Sequence, residues 1–355
     1  MDLKFKNKKI TGILTILPEN EINFEDEIEN YDFSKSQSMK LKLIMGYDKR
    51  RVVTPGTTVS DLCIFGLNHL FDSGQLKKEE IDALVLVTQS PDHFMPATSH
   101  IIQGKLALSD HVLCYDINQA CAGYPVGLNQ AFMLLEQEQI HKVVVLNADI
   151  LSTKVSVKDR GSRPLTGDAA SITIVEKDPD GSEIYGSVQT DGKSADALII
   201  PAGGFRMPSS PETAIMHTDS KGNARALDHI VMKGDDVFNF VQREVPPMID
   251  HLLTRANTSD EAIDYYLFHQ PNKFMLQKLA QKMGVEQSKM PNVTVEKYGN
   301  SGSVSIPTTI TDSLGSQLEE NSYKVCIAGF GAGLSWTSLL MNLGNLNFCK
   351  QIDYK

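Results

Sequence analysis

The sequence predicts an α/β protein built from two pseudo-symmetric halves, and three observations carry that reading. Short, nearly continuous apolar runs alternate with segments of helical spacing. A shift of 182 residues lays one part of the chain on another without gaps. No linker-like Pro/Ser/Gly tract divides the two parts, which therefore share one body. The first helical pattern, Val59 to Phe71, closes at Asp72-Ser-Gly, and DALVLVTQ (82–89) follows it as a strand buried on both faces. CYDIN (114–118) reads as a strand that turns into the helical run LNQAFMLLEQ, and HKVVVLNAD (141–149) as the next buried strand. The second half repeats the pattern with a helix over Val237 to Leu253, then DYYLFHQP (264–271), the helix KFMLQKLAQKMG and YKVCIAGFG (323–331). The shift sets His69-Leu70 on His251-Leu252, Ile81-Asp82 on Ile263-Asp264, Asn118 on Asn300, Pro125 on Pro307 and Lys142-Val143 on Lys324-Val325. Strands alternating with helices imply parallel sheets covered by helices. The halves are read as residues 1–180 and 181–355.

Composition narrows the functions. The 355 residues are 41% apolar and 22% charged, and 34 Lys plus Arg against 44 Asp plus Glu leave a net charge of −10. That balance argues against a nucleic-acid binder, whose footprint is a basic face. No segment offers the ~18 unbroken apolar residues of a membrane span. Near the N-terminus the apolar run Ile13 to Leu17 is short of the ~7–15-residue core of a signal peptide. Five widely spaced cysteines, with no CxxC pair and no clustered histidines, predict reduced thiols, no metal site and a cytoplasmic setting.

Cys121 is the candidate nucleophile. It stands between CYDIN and LNQAFMLLEQ, at a strand-to-helix elbow where Ala122 and Gly123 leave room around the sulfur. A helix N-terminus carries about half a positive charge, which favours the thiolate and predicts a lowered thiol pKa. An isolated cysteine is ordinarily a small buried core residue, and Cys63, Cys114 and Cys326, inside apolar patterns, keep that reading; Cys349 lies in the C-terminal tail. His269 closes a strand at its C-terminal end, where α/β sheets place their sites. By itself it would be a hydrogen-bonded structural residue, as Asn300, in KYGNSGSVSIP, would by itself be a turn or N-cap asparagine. The 182-residue shift instead puts Asn300 on the turn that precedes Cys121, so that each half contributes an elbow to one site. The run Gly329-Phe-Gly-Ala-Gly333 is spaced GxGxG, without the helix and acidic residue of a dinucleotide-binding fingerprint.

CAG at the elbow, DRGSRPLTGDAAS, HQPN, GNSGSVSIP and GFGAGLSWTS occur in this order between Met45 and Leu343. Together they resemble β-ketoacyl-[acyl-carrier-protein] synthase III, a condensing-enzyme family of the thiolase superfamily. The resemblance implies a thiolase-like five-layer αβαβα fold, a homodimer, a place in fatty acid biosynthesis and a catalytic triad of Cys121, His269 and Asn300. Cys121 would take an acyl group from a thioester donor. His269 and Asn300 would stabilise the enolate formed when malonyl-carrier protein loses CO2. No cofactor is implied beyond acyl-CoA or acyl-carrier-protein substrates. Arg160, with Lys154, Lys158 and Arg163 nearby, matches a family arginine near the CoA nucleotide. Asn272 of HQPN and Phe330, Gly331, Ala332 and Gly333 fall at substrate-binding positions, Ala332 standing where the family usually has glycine. Lys273, Lys278 and Lys282 would dock the acidic carrier protein, a local basic patch that a chain of net negative charge needs for such a partner. Met95 matches the position from which a partner subunit closes the acyl pocket, and Asp168 a structural turn. The family's N-terminal tryptophan has no evident counterpart, Trp336 being the only tryptophan, which leaves room for carrier-protein donors. The alternatives are an acyltransferase passing the acyl group to a hydroxyl or amine, and a silent partner subunit, which would not need an intact triad. A hydroxymethylglutaryl-CoA synthase is discounted, because DINQACAGY offers no carboxylate beside the cysteine.

Overall fold

The four buried runs are the strands Ala83–Val87, Lys142–Asp149, Tyr265–Phe268 and Ser322–Gly331 in the computed structural model, which describes all 355 residues. Their successive side chains enter different apolar layers. Val85, Val143 and Val145 pack into the central core, while Leu84, Leu86, Val144 and Leu146 face an outer one. With both faces buried, a strand has no polar side to alternate with, and its sequence reads as a continuous apolar run.

The first sheet has six strands in the order Phe348–Tyr354, Lys8–Pro18, Ala169–Lys177, Lys142–Asp149, Ala83–Val87, Leu113–Ile117. The second has five, in the order Asp2–Phe5, Ile184–Thr190, Ser335–Gly344, Ser322–Gly331, Tyr265–Phe268. Both sheets are mixed, not parallel as the helix–strand alternation predicts. Ala169–Lys177 runs antiparallel to both its neighbours, and Ser322–Gly331 pairs antiparallel with Ser335–Gly344. In the second sheet the physical reason is connection length: the three residues between Ser322–Gly331 and Ser335–Gly344 cannot make the crossover that parallel pairing requires.

The internal repeat holds for the inner strands and fails at one edge. Shifted by 182 residues, Leu113–Ile117 falls on a short helix, Thr294–Tyr298, so the second sheet is one strand narrower. The termini also cross between the halves: Asp2–Phe5 pairs with Ile184–Thr190, and Phe348–Tyr354 lies parallel to Lys8–Pro18.

Two helices, Gly123–Leu134 and Ser305–Ser313, lie between the sheets, where Tyr124, Leu128, Phe132, Ile306 and Ile310 share one core with residues of both. Val59–Asp72 and Thr98–Lys105 cover the outside of the first sheet, and Gly234–Arg255 and Lys273–Met283 the outside of the second. The layers are αβαβα, as the resemblance implies. Both central helices begin at the strand ends that carry the site.

Candidate active site

A cavity of about 960 Å³ opens at these strand ends. Cys121, Asn300, Gln89, Asn118, Ala332 and Gly333 line its depth, and Leu198, Ile230, Met232, Val237 and Phe238 its apolar walls. Cys121 sits on a single 3-10 turn, Ala120–Ala122, that feeds the central helix Gly123–Leu134. Ala120 holds φ at +45°, a left-handed conformation that costs a non-glycine residue energy and that clusters at functional sites. The strand Ser322–Gly331 ends against this elbow. A Cβ placed on Gly331 would stand 2.7 Å from Cys121 Cβ and 3.0 Å from its Sγ, so only glycine lets the two chains approach.

The thiol is not the thiolate the sequence predicts. Burial, helped by the Asp149 carboxylate, pushes Cys121 up to about 12, and its own backbone N–H offsets only part of this. The half-charge of a helix end does not overcome the removal of a thiolate from water.

His269 follows the strand Tyr265–Phe268 and is 2% exposed. Its ring packs edge-on against Phe330 with centroids 5.6 Å apart, and Nδ1 lies 2.7 Å from Ser305 Oγ. Burial drives the imidazole down to about 3, against a smaller opposing pull from the Gly302 backbone, so the ring is neutral at physiological pH. The Ser305 hydroxyl accepts from the Gln270 N–H at 3.3 Å and shares a hydrogen bond with Nδ1, which fixes the orientation of the ring. Asn300 is fixed in the same way. Its Oδ1 accepts from the Gly302 N–H at 3.0 Å, and its own carbonyl accepts from Gly167 N at 3.0 Å, so the amide presents its Nδ2 donors to the cavity.

Of the predicted site residues, the structure brings Cys121, Asn300, Asn272, Ala332 and Gly333 to the cavity wall and Gly331 against the nucleophile. Asn272 also caps the helix Lys273–Met283, its side chain accepting from Met275 N at 2.8 Å. His269 stands one layer behind the lining. Phe330 belongs to the core, 1% exposed, because successive residues of a strand point to opposite faces and Gly331 takes the face toward Cys121. Arg160 stacks on Phe33, its guanidinium 3.9 Å from the ring centroid, and lies outside the cavity wall. Arg163 is drawn away by Glu27, a carboxylate it shares with Arg50. Lys273 is paired with Glu296 at 2.6 Å, whereas Lys278 and Lys282 are exposed on the same helix. Met95 is 83% exposed and away from the cavity of its own chain. Asp168 is a turn anchor, accepting from Val53 N and Ser152 N, both at 3.0 Å, and from Ser152 Oγ at 2.6 Å.

Sequence reasoning missed Asp149, Ser303, Ser305 and Phe33. For Asp149 the signal was present: an apolar strand ending on a carboxylate at the end of the sheet where sites form. No group of three or more His, Cys, Asp or Glu side chains is placed to hold a metal ion.

Two family profiles match the chain. Residues 115–192 fit that of 3-oxoacyl-[acyl-carrier-protein] synthase III and residues 253–343 that of its C-terminal part. A β-ketoacyl-[acyl-carrier-protein] synthase III of Streptococcus mutans is 31% identical over 297 residues, covering 83% of this chain and 88% of its own. The crystal structure of a 3-oxoacyl-(acyl-carrier protein) synthase from Burkholderia xenovorans superposes with a TM-score of 0.92 at 30% identity, covering 100% of this chain and 99% of that one. Another, of a 3-oxoacyl-(acyl-carrier-protein) synthase III at 2.1 Å, superposes with a TM-score of 0.88 at 32% identity over 95% of this chain and 100% of its own. With fold and sequence agreeing from end to end, the chain belongs to the β-ketoacyl-[acyl-carrier-protein] synthase III family of condensing enzymes.

Proposed function

We propose that Cys121, His269 and Asn300 carry out the family's decarboxylative condensation, joining a Cys121-bound acyl group to malonyl-carrier protein. The observation that supports this reading is orientation. The Asn300 amide is held by the Gly302 N–H so that its Nδ2 faces the cavity, and the His269 ring stands one layer behind it with Nδ1 taken up by Ser305 Oγ. In the first half-reaction Cys121 Sγ attacks the donor thioester, a C–S bond forms as another breaks, and the thiol proton leaves on the departing thiol. In the second, the malonyl carboxylate departs as CO2 and its electron pair passes to the adjacent carbon as an enolate. His269 and Asn300 hold the enolate oxygen. The carbon then attacks the acyl group, Cys121 leaves as a thiolate and takes a proton from water, and a 3-oxoacyl thioester remains on the carrier.

A neutral imidazole suits this role, since a donor to an oxyanion needs a proton it keeps. The thiol form of Cys121 suits a nucleophile that waits for its donor without being alkylated or oxidised. The enzyme is a transferase of the condensing type, and transfer to an alcohol or amine is not favoured. Lys278 and Lys282 remain the carrier-docking residues in this reading, Lys273 being held by Glu296. In a homodimer the loop carrying Phe94 and Met95, 76% and 83% exposed and away from the cavity of its own chain, would be the one to reach the partner subunit's cavity.

The test is a split of half-reactions. Cys121→Ala abolishes acyl loading, while His269→Ala and Asn300→Ala load but lose about 10²–10³-fold in malonyl decarboxylation. Covalent acylation of the Cys121→Ala protein would overturn the assignment.

A further inference from the structure

Asp149 ends the strand Lys142–Asp149 with no exposed surface. Its carboxylate accepts four hydrogen bonds, from Gln89 N at 2.8 Å, Gln89 Nε2 at 3.2 Å, Ser303 N at 2.9 Å and Ser303 Oγ at 2.8 Å. Gln89 continues the neighbouring strand of the first half, whereas Ser303 lies in the second half, three residues after Asn300. The carboxylate therefore ties the two halves at the site. The fit is close: Gly302 has φ at +59°, and a Cβ there would stand 2.5 Å from Asp149 Oδ2. Ser303 in turn lies against Gly123, the first residue of the nucleophile's helix, where an added Cβ would meet Ser303 Cβ at 3.0 Å. Gln89 and Gly302 line the cavity whereas Asp149 does not, so Asp149 acts through its neighbours.

We propose that Asp149 is a positioning residue for condensation, holding the Asn300–Ser303 turn in register with the Cys121 turn. The proposal rests on the triad reading above. Of the groups facing Cys121, Gly331, Asn300 and Gln89 carry no charge, His269 is neutral, and Asp149 is the one carboxylate whose charge acts on the thiol. Burial raises Asp149 itself to about 6 while its four donors hold it down, so it is charged at pH 7–8. Its charge and its hydrogen bonds have opposite signatures. Removing the charge makes Cys121 easier to ionise, yet loosening the turn makes decarboxylation slower.

The experiment compares wild type, Asp149→Asn and Ser303→Ala. One measurement follows iodoacetamide alkylation of Cys121 against pH, with the site read by peptide mass. The other follows CO2 release from malonyl-carrier protein by acylated enzyme. Asp149→Asn is expected to move the alkylation midpoint about one pH unit lower, roughly tenfold faster at a given pH, and to slow decarboxylation about 10²-fold, the scale of a displacement near 1 Å. Ser303→Ala keeps the charge, so its alkylation midpoint stays and its decarboxylation falls about tenfold. Asp149→Asn with both rates reduced together, or with decarboxylation unchanged, overturns the proposal. Should Asp149→Asn fail to fold, Ser303→Ala decides: wild-type decarboxylation in that variant overturns the positioning role. Alkylation needs no substrate, so a wild-type protein that releases no CO2 refutes the condensation reading while the charge effect is still measured.

Discussion

Replacing Gly331 by alanine places one methyl group against the nucleophile. That methyl would sit 2.7 Å from Cys121 Cβ and 3.0 Å from Sγ, whereas carbon atoms in contact settle at about 3.5–4.0 Å. Roughly 1 Å must be found. The cysteine has little room to retreat, because its turn starts from Ala120 at φ +45° and is backed by the Gly329 backbone, where a Cβ would stand 2.8 Å from Ala122 Cα. Overpacking of this kind costs about 1–3 kcal/mol in stability, and a nucleophile displaced by about 1 Å loses about 10²-fold in rate. The assay is the rate of acyl loading on Cys121, quenched over time and read as intact mass, beside the thermal midpoint. Gly192→Ala, where a Cβ meets nothing within 4 Å, serves as the control and leaves both unchanged. Loading by Gly331→Ala within twofold of wild type would refute the claim that this close approach sets the nucleophile's position.

Three further outcomes follow from the same geometry. His269 resists protonation down to about 3 in the fold but takes a proton near its usual 6.5 when unfolded, so its contribution is present above pH 6.5 and lost as pH falls toward 3. Asp149, raised to about 6, works the other way between about 6 and its ordinary 3.8. His269→Gln is therefore expected to lose about 2 kcal/mol less than wild type between pH 6.5 and 5, measured by urea unfolding; equal losses would contradict a buried neutral imidazole. Asn272→Ala removes the cap that receives Met275 N and is expected to lower stability by about 1 kcal/mol, with a raised KM because the residue also lines the cavity. Lys278→Glu is expected to raise the KM for carrier protein several-fold with kcat unchanged, an effect that fades as salt screens it; a salt-independent change would place docking elsewhere.

The inner strands were visible in the sequence because burial on both faces writes itself as an unbroken apolar run. The repeat was visible for the same reason, although few identities survive in it. What escaped was set by residues distant in the chain. Neither the acidic partners of Arg163 and Lys273 nor the four donors around Asp149 could be paired from local pattern. Local pattern also placed a thiolate at a helix end, where depth in the protein reverses the balance. Phe330 was a different kind of miss. The period of two in a strand allows only one of Phe330 and Gly331 to face Cys121, and that signal was in the sequence.

The most direct test of the central claim is the mass of the carrier protein after malonyl-carrier protein is mixed with enzyme and a panel of acyl-CoA and acyl-carrier donors. Condensation requires the malonyl mass to give way to a 3-oxoacyl mass that depends on Cys121 and names the primer. Unchanged malonyl-carrier protein beside enzyme acylated at Cys121 would contradict it and turn the search to other acceptors.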